Sequence, residues 1–454
     1  MSHSYRLTII LAIVLAGIGA YIYYVDVPAS EQAIEVKEAA RELLPLDDRR
    51  ITHFTMKTAQ DSLVFSRDEQ GRWLITEPLV APADGREVRK ILRALTLGTI
   101  ERVIQEQAAD LEQYGLDPPH MTVTLTDGQQ TMTLDLGNPG PFSSSLYVRK
   151  VSDNSVVLTT LNVLSFAKKN LYTFRLKDVL FFNHASVEHL EIHSPDQDMV
   201  LHRVPGVHGM SPNWRFERPI VGPADKTTVG VLLMALEDLN AQAFIDSPED
   251  KQELLATLGA PKATAIIKTA NRTHPVSFYQ QDDTTYAKTS DDKPLYRIPA
   301  KIVTDLTQGL FSMRDKRLLG IAPEDVAIVR IQTSTESYGL IHQNDVWLWE
   351  EDPATPIDQK AVNLLVSRLA GLPAEHRVSE QESQLTRYGL DHPKFLVVAT
   401  DTRGKERGRL LLGEAKRGLV YATGAGLPGI SQARSTILTQ IPSIKELVEQ
   451  PASH

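Results

Sequence analysis

Three stretches of this chain align without a gap when they are started from Trp73, Trp214 and Trp347, and no other feature restricts the fold as much. Nine residues after each tryptophan stands a proline (Pro82, Pro223, Pro356), and eleven after it an aspartate (Asp84, Asp225, Asp358). Fifteen residues on comes Val88, Val229 or Val362, then Leu92, Leu233 or Val366 at nineteen, and Leu95, Leu236 or Leu369 at twenty-two. All four tryptophans, Trp349 included, fall at this one recurring place.

The pattern reads as a strand that leads into a helix. The aspartate is an N-cap whose carboxylate accepts an otherwise unpaired backbone N–H, with Glu87 as its capping-box partner in the first copy. The valine and the two following apolar residues recur at +4 and +3, which places them on one helical face. An indole brings more than about 150 Å² of burial, so each aligned tryptophan is expected to anchor the core between helix and strands.

A second signature lies downstream. Leu111-Glu112-Gln113-Tyr114-Gly115-Leu116-Asp117-Pro118-Pro119 recurs as Leu385-Thr386-Arg387-Tyr388-Gly389-Leu390-Asp391-His392-Pro393, and the middle copy has the weaker Leu258-Gly259-Ala260-Pro261. Glycine after a leucine-bearing segment, with proline beyond it, is C-capping chemistry, because glycine adopts the left-handed conformation without a Cβ penalty. Alternating runs then predict an antiparallel meander: Met121 to Leu125, the turn Asp127-Gly128, Thr131 to Leu136 closed by Gly137, Leu146 to Val148, and Val156 to Leu158. The third copy repeats it at Phe395 to Val398, Leu410 to Leu412 with Gly413, and Val420-Tyr421. A short helix is expected to end the first two copies, before Phe174-Arg175-Leu176-Lys177 and Met313-Arg314-Asp315-Lys316, while the last copy lacks this arginine. The expected architecture is α+β, three divergent repeats of antiparallel strands plus one capped helix, spanning 47–181, 182–320 and 321–449 with a tail at 450–454.

Ahead of the repeats, Leu7 to Val25 carries no charged residue over 19 positions, enough for a helix to cross roughly 30 Å of hydrocarbon. Tyr21, Tyr23 and Tyr24 crowd its far end, as interfacial aromatics do. Arg6 precedes it and Asp26, Glu31, Glu35 and Glu38 follow, so the positive-inside bias puts residues 1–6 in the cytoplasm and the bulk of the chain outside. The competing reading is a cleaved signal peptide ending near Val27-Pro28-Ala29; against it, the apolar run exceeds the roughly 7 to 15 residues of a signal core. Residues 26–46 read as a helical stalk that Pro45 stops.

Composition narrows the chemistry. A formal net charge of -9 provides no basic footprint, which argues against nucleic acid as a partner. Without a single cysteine, disulfides, thiolate metal sites and thiol nucleophiles are excluded. The best metal candidate is the run His184, His189, His193, His202 and His208, in which His189, Glu191 and His193 would share one strand face. Aligning the opening hairpins sets His193 against Lys57 and Gln332, a position that accepts any polar group, so a surface role is the expectation and no metal is assigned. No phosphate-cradling Gly-rich loop, HExxH or G-x-S-x-G motif occurs, and the repeated carboxylates are explained as caps; no catalytic or cofactor-binding residue is assigned.

Trp73 with Pro78 and Pro82, Tyr114 to Pro118, Leu136-Gly137, Tyr147-Val148 and their counterparts Trp347, Tyr388-Gly389-Leu390 and Leu412-Gly413 together resemble the domain-of-unknown-function family 4340. The second copy departs from the tyrosine-glycine-leucine pattern. The resemblance implies a bacterial, membrane-anchored repeat protein associated with ABC-transporter components of the gliding-motility auxiliary type, and no catalytic residues. The resulting expectation is a non-enzymatic accessory or scaffold protein on the extracytoplasmic side of the inner membrane, held through Leu7 to Val25 beside a permease or auxiliary subunit. A module binding cell-envelope polysaccharide or peptidoglycan is the alternative, and an unrecognised hydrolase a third.

Overall fold

The computed structural model describes residues 41–448 apart from 143, 162 and 206–212. The expected membrane segment Leu7 to Val25 and residues 26–40 of the expected stalk lie outside the described residues. Among the described residues, no helix is long and apolar enough to cross a membrane. These residues fall into two compact units, one ending at Lys177 and one beginning at Asp178. The first holds copy one; the second holds copies two and three.

Copy one contains β1 (His53–Thr58), β2 (Ser62–Arg67), β3 (Trp73–Glu77), β4 (Ala81–Pro82), α1 (Gly85–Thr96), β5 (Thr99–Gln105), β6 (Met121–Thr126), β7 (Thr131–Pro139), β8 (Ser145–Lys150) and β9 (Ser155–Thr160). Its strands form one antiparallel sheet in the order β4-β3-β2-β1-β6-β7-β8-β9-β5. Copy two repeats this with β10 (Val187–Ser194), β11 (Gln197–Val204), β12 (Asn213–Arg218), β13 (Gly222–Pro223), α2 (Lys226–Glu237), β14 (Ala243–Ile245), α3 (Pro248–Leu258), β15 (Ala263–Thr269), β16 (Thr273–Gln281), β17 (Thr284–Lys288) and β18 (Leu295–Ile298). The order is β13-β12-β11-β10-β15-β16-β17-β18-β14. Copy three has β19 (Ile328–Thr333), β20 (Ser337–Gln343), β21 (Val346–Trp349), α4 (Gln359–Gly371), β22 (His376–Ser379), β23 (Phe395–Thr400), β24 (Glu406–Lys416), β25 (Leu419–Gly424) and β26 (Leu427–Arg434). Its eight strands run β21-β20-β19-β23-β24-β25-β26-β22, the same order without the small edge strand. The three copies therefore share one topology.

In every copy the capped helix leaves one edge of the sheet and delivers the chain to the other. Twelve residues of α1 measure about 18 Å, whereas nine flat strands would span roughly 38 Å, so the sheet curls around its helix. The helix is held by the residues the spacing singled out, Val88, Leu92 and Leu95 in α1, Val229, Leu233 and Leu236 in α2, and Val362, Val366 and Leu369 in α4, joined by Ile91, Leu232 and Leu365, and all are buried. Strands facing them alternate buried and half-buried residues, as β6 does throughout, which gives one dry face per sheet. Each copy has its own apolar core.

The aspartates cap as expected: Asp84 accepts from Arg86 N at 2.9 Å, Asp225 from Thr228 N at 2.6 Å, and Asp358 from Lys360 N and Ala361 N at 2.9 and 3.0 Å. Glu87 is not the capping-box partner. The Asp84 N–H donates instead to Phe174 O at 2.7 Å, while the Glu87 carboxylate takes Lys90 and Lys169, both at 2.5 Å. The same docking of the copy's last turn recurs where Asp225 N donates to Met313 O and Asp358 N to Leu447 O. Copy three thus also ends in a short helix, Ile444–Leu447.

The tyrosine-glycine-leucine turns sit against the meander. Gly115 and Gly389 both adopt φ +65° after one short 3₁₀ turn, and Tyr114 and Tyr388 pack at 5.0 Å on Tyr147 and Tyr421. The strand expected to close at Gly137 continues to Pro139, and the role of that glycine is close approach: a Cβ there would lie 2.3 Å from Tyr114 O. Copy two replaces the turn with the longer helix α3.

The segment read as the end of a helical stalk is part of copy one. Leu43, Leu44 and Leu46 are buried in its core, and Glu42 forms an antiparallel bridge with Thr99. Equivalent bridges join Asp178 to Asn240 and Arg317 to Pro373, so Val179-Leu180 and Leu318-Leu319 enter the cores of copies two and three in the same way. Leu43 N, Val179 N and Leu318 N donate to Gly98 O, Leu239 O and Leu372 O at 3.1, 3.0 and 2.9 Å. Each copy's core begins upstream of the expected boundaries at 47, 182 and 321, because an apolar pair must fill the end of the sheet where the helix exits.

Candidate functional site

The three aligned tryptophans are structural. Trp73, Trp214 and Trp347 are 5, 5 and 2% exposed and belong to the cores of their copies. Trp347 is tied to its helix twice, Nε1 donating to Asn363 Oδ1 at 3.0 Å and the backbone N to Gln359 Oε1 at 2.8 Å.

The histidine-rich stretch of copy two lies on the polar face of its sheet, with His189 opposite His202 and His193 opposite Asp198 across the β10–β11 ladder. His189, Glu191 and His193 do share a face: Glu191 stands 3.1 Å from His189 Nε2 and 3.4 Å from His193 Nε2. Lys268 Nζ, reaching over from β15, also lies 2.5 Å from the same carboxylate. That ammonium holds Glu191 below the usual carboxylate range, and Asp198, 2.7 Å from His193 Nδ1, is matched by Arg218 at 2.7 Å. Resident cations thus neutralise the carboxylates that a divalent ion would need. His184 pairs separately with Glu237, and His208 lies outside the described residues. Among the described residues, no three His, Asp or Glu side chains are grouped to hold a metal ion.

The feature that the sequence did not disclose is a recess in copy three. It encloses about 190 Å³ and is lined by Ser337, Tyr338, Gly339, Trp349, Glu351, Asp352, Thr355, Ile444 and Val448. Two substitutions at core positions build it. Tyr338, opposite Ile331, stands where copies one and two have Leu63 opposite Met56 and Met199 opposite Ile192; Trp349 stands where they have Ile75 and Phe216. The two rings meet edge to face at 5.9 Å. The wall on the other side is missing a strand: Ala81–Pro82 and Gly222–Pro223 fold back onto β3 and β12, whereas the segment from Glu351 to Thr355 runs past Trp349 without joining the ladder.

The electrostatics of the recess are one-sided. Tyr338 donates its hydroxyl to Pro442 O at 2.7 Å, and burial pushes its phenol well above the ordinary value, with Glu336 and Glu446 adding to the effect. The Trp349 indole is 7% exposed and its Nε1 is buried without a hydrogen-bond partner. Glu351 and Asp352 are exposed; Asp352 accepts from Thr355 Oγ1 at 2.6 Å, while the Glu351 side chain has no partner among the described residues. The arrangement can hold a small apolar group and attract positive charge.

No curated protein matches the chain. Among solved structures, the chain is 8% identical to a DNA polymerase sliding clamp from Pseudomonas aeruginosa, with 87% of this chain and 94% of that chain covered and a TM-score of 0.14. A putative DNA polymerase III beta subunit from Eubacterium rectale gives 9% identity, 86% and 92% coverage, and a TM-score of 0.14. Likeness at that level carries no argument about fold or function. The family described as Domain of unknown function (DUF4340) matches residues 73–256, 214–351 and 347–450, three segments that begin at or end near the repeated tryptophans. Those segments together run through most of the chain, and the protein belongs to this family.

Proposed function

We propose that this protein is a non-enzymatic accessory or scaffold subunit, anchored in the bacterial inner membrane through Leu7 to Val25, whose copies face the extracytoplasmic side beside an ABC-transporter-like permease. The observation that carries the reading is the use made of the recurring charged residues: Asp84, Asp225 and Asp358 are consumed as helix caps, so what is repeated is a shape and not a reactive group. Repetition of one rigid unit suits presentation of surfaces to a partner. The apolar N-terminal run and the family resemblance supply the membrane and the transporter. Small residues Ala12, Ala16, Gly17, Gly19 and Ala20 would let a partner helix approach closely.

A polysaccharide-binding role through exposed aromatic platforms is disfavoured by the burial of Trp73, Trp214 and Trp347. The test is affinity purification of the full chain from membranes in mild detergent. Recovery of permease or auxiliary subunits in stable proportion supports the proposal; repeated isolation of the protein alone overturns it.

A further inference from the structure

We propose that the open edge of the copy-three sheet, along β21, takes up an extended basic segment of a partner protein as an added strand, pairing a small residue followed by proline with Trp349. The hydrogen-bond ladder locates the place. Glu350 N donates inward to Gly339 O at 2.9 Å, so the alternation of an antiparallel ladder turns the backbone N–H and C=O groups of Trp347 and Trp349 outward. At Trp347 both are met by the Gln359 side-chain amide, each at 2.8 Å. At Trp349 no strand among the described residues lies outside. Copies one and two fill that place with their own chain: Ala81 lies opposite Ile75 and Gly222 opposite Phe216, the two counterparts of Trp349, and each is followed by proline.

In copy three the corresponding segment is committed to itself. Thr355, which aligns with Ala81 and Gly222, donates from N to Asp352 O at 3.1 Å and from Oγ1 to Asp352 Oδ2 at 2.6 Å, closing a turn. The recess of about 190 Å³ is lined by this turn and by Trp349, with Tyr338, Ile444 and Val448 as its apolar wall. Residues paired across a ladder share a sheet face, so the side chain set opposite Trp349 is directed to the recess, as Ala81 is buried beside Ile75. Charge selects the flanks. From Asn344 to Asp358 the chain carries five carboxylates (Asp345, Glu350, Glu351, Asp352, Asp358) and no lysine or arginine, whereas the aligned stretch 70–84 has two acids and one base and 211–225 has two of each. An edge of one sign repels acidic chains and draws basic ones. The site is independent of the transporter reading, since it asks only that copy three fold.

Fluorescence anisotropy of the full chain in detergent with a labelled Lys-Leu-Val-Ala-Pro-Lys peptide, whose centre copies Leu79 to Pro82, tests the proposal. Saturable one-site binding that weakens with added salt is expected. The same peptide N-methylated at its alanine keeps every side chain but loses the N–H that would donate to Trp349 O, and should bind roughly tenfold more weakly. With glutamate in place of both lysines, binding should weaken by roughly threefold or more. A variant in which residues 351–355 are replaced by the sequence of residues 218–222, together with Trp349→Phe, supplies the edge strand that copy two already forms and should abolish binding at a retained thermal midpoint. If that variant does not fold, the plain and N-methylated peptides decide by themselves. Absence of saturation at millimolar peptide, equal affinity for the N-methylated peptide, or undiminished binding to the folded variant overturns the assignment.

Discussion

Arg314, at the tail of copy two, donates from Nη1 to Glu380 Oε2 of copy three at 2.8 Å, and this ion pair bridges two repeats of one compact unit. The guanidinium is 8% exposed and the carboxylate 53%. Burial lowers the Arg314 pKa, while Arg377 shares the same carboxylate at 2.7 Å. Removing the acid therefore harms more than removing the base. Glu380→Ala, which strands a buried cation, should cost about 2 kcal/mol after allowance for solvent at the exposed partner, and Arg314→Met about 1 kcal/mol or less. Urea unfolding of both variants checks the order; a larger loss for Arg314→Met would refute it.

Glu87 makes stability depend on acid. Hydrogen bonds from Lys169 and Lys90 hold its carboxyl at about 2, against an ordinary value of 4.5. A folded-state pKa below the unfolded one contributes stability that is fully present above the unfolded value and lost as pH falls through the folded one. Glu87→Gln should thus cost about 1–3 kcal/mol at pH 7, with the gap to wild type closing between roughly pH 4.5 and 2. Thermal melts across that range would show it, and a gap that persists at pH 2 would contradict it.

Two glycines at corresponding strand positions should respond unequally to alanine. At Gly137 a Cβ would lie 2.3 Å from Tyr114 O, whereas at Gly413 the nearest atom, Tyr388 O, is 3.0 Å away. Backbone cannot rotate out of the way as a side chain can. Gly137→Ala is expected to cost about 2–3 kcal/mol and Gly413→Ala about 1 kcal/mol or less. Denaturant midpoints of the two variants decide the comparison.

The aligned tryptophans should behave as core residues in all three copies. Trp73→Ala, Trp214→Ala and Trp347→Ala are each expected to cost about 3–5 kcal/mol. Trp347→Phe should cost more than Trp214→Phe, because it also leaves Asn363 Oδ1 without the indole donor 3.0 Å away. Near-equal losses for the two phenylalanine variants would show that this bond contributes nothing.

Much of this fold could be read from residue spacing. The Asp84, Asp225 and Asp358 caps, the apolar helix faces behind them and the left-handed Gly115 and Gly389 are local features, set by short-range backbone chemistry, and the sequence displays them directly. The strand order is not local. Nothing near β5 or β22 indicates that it pairs at the far edge of the sheet, and Leu43-Leu44 looked like stalk because its partners lie more than fifty residues away around Gly98. Glu87 stood at the capping-box spacing, yet two lysines outcompeted the Asp84 N–H for it, one of them 82 residues distant. Trp349 lies two residues from Trp347, so spacing alone places it with the recurring indoles; its position in the recess depends on Tyr338 and on an edge strand that copy three does not form.

The interleaved strand order also bears on how the chain must be made. β1 ends at Thr58 but its inner neighbour β6 starts only at Met121, with the helix and the far-edge strand synthesised between them. A half-emerged copy therefore exposes the middle of its sheet, not a rim, and the following copy will supply strands of the same shape. Three near-identical copies would invite a strand from one to complete its neighbour. Divergence among these repeats, in strand length, turn type and core side chains, disfavours that exchange, because a strand from the wrong copy would bring mismatched side chains to the core.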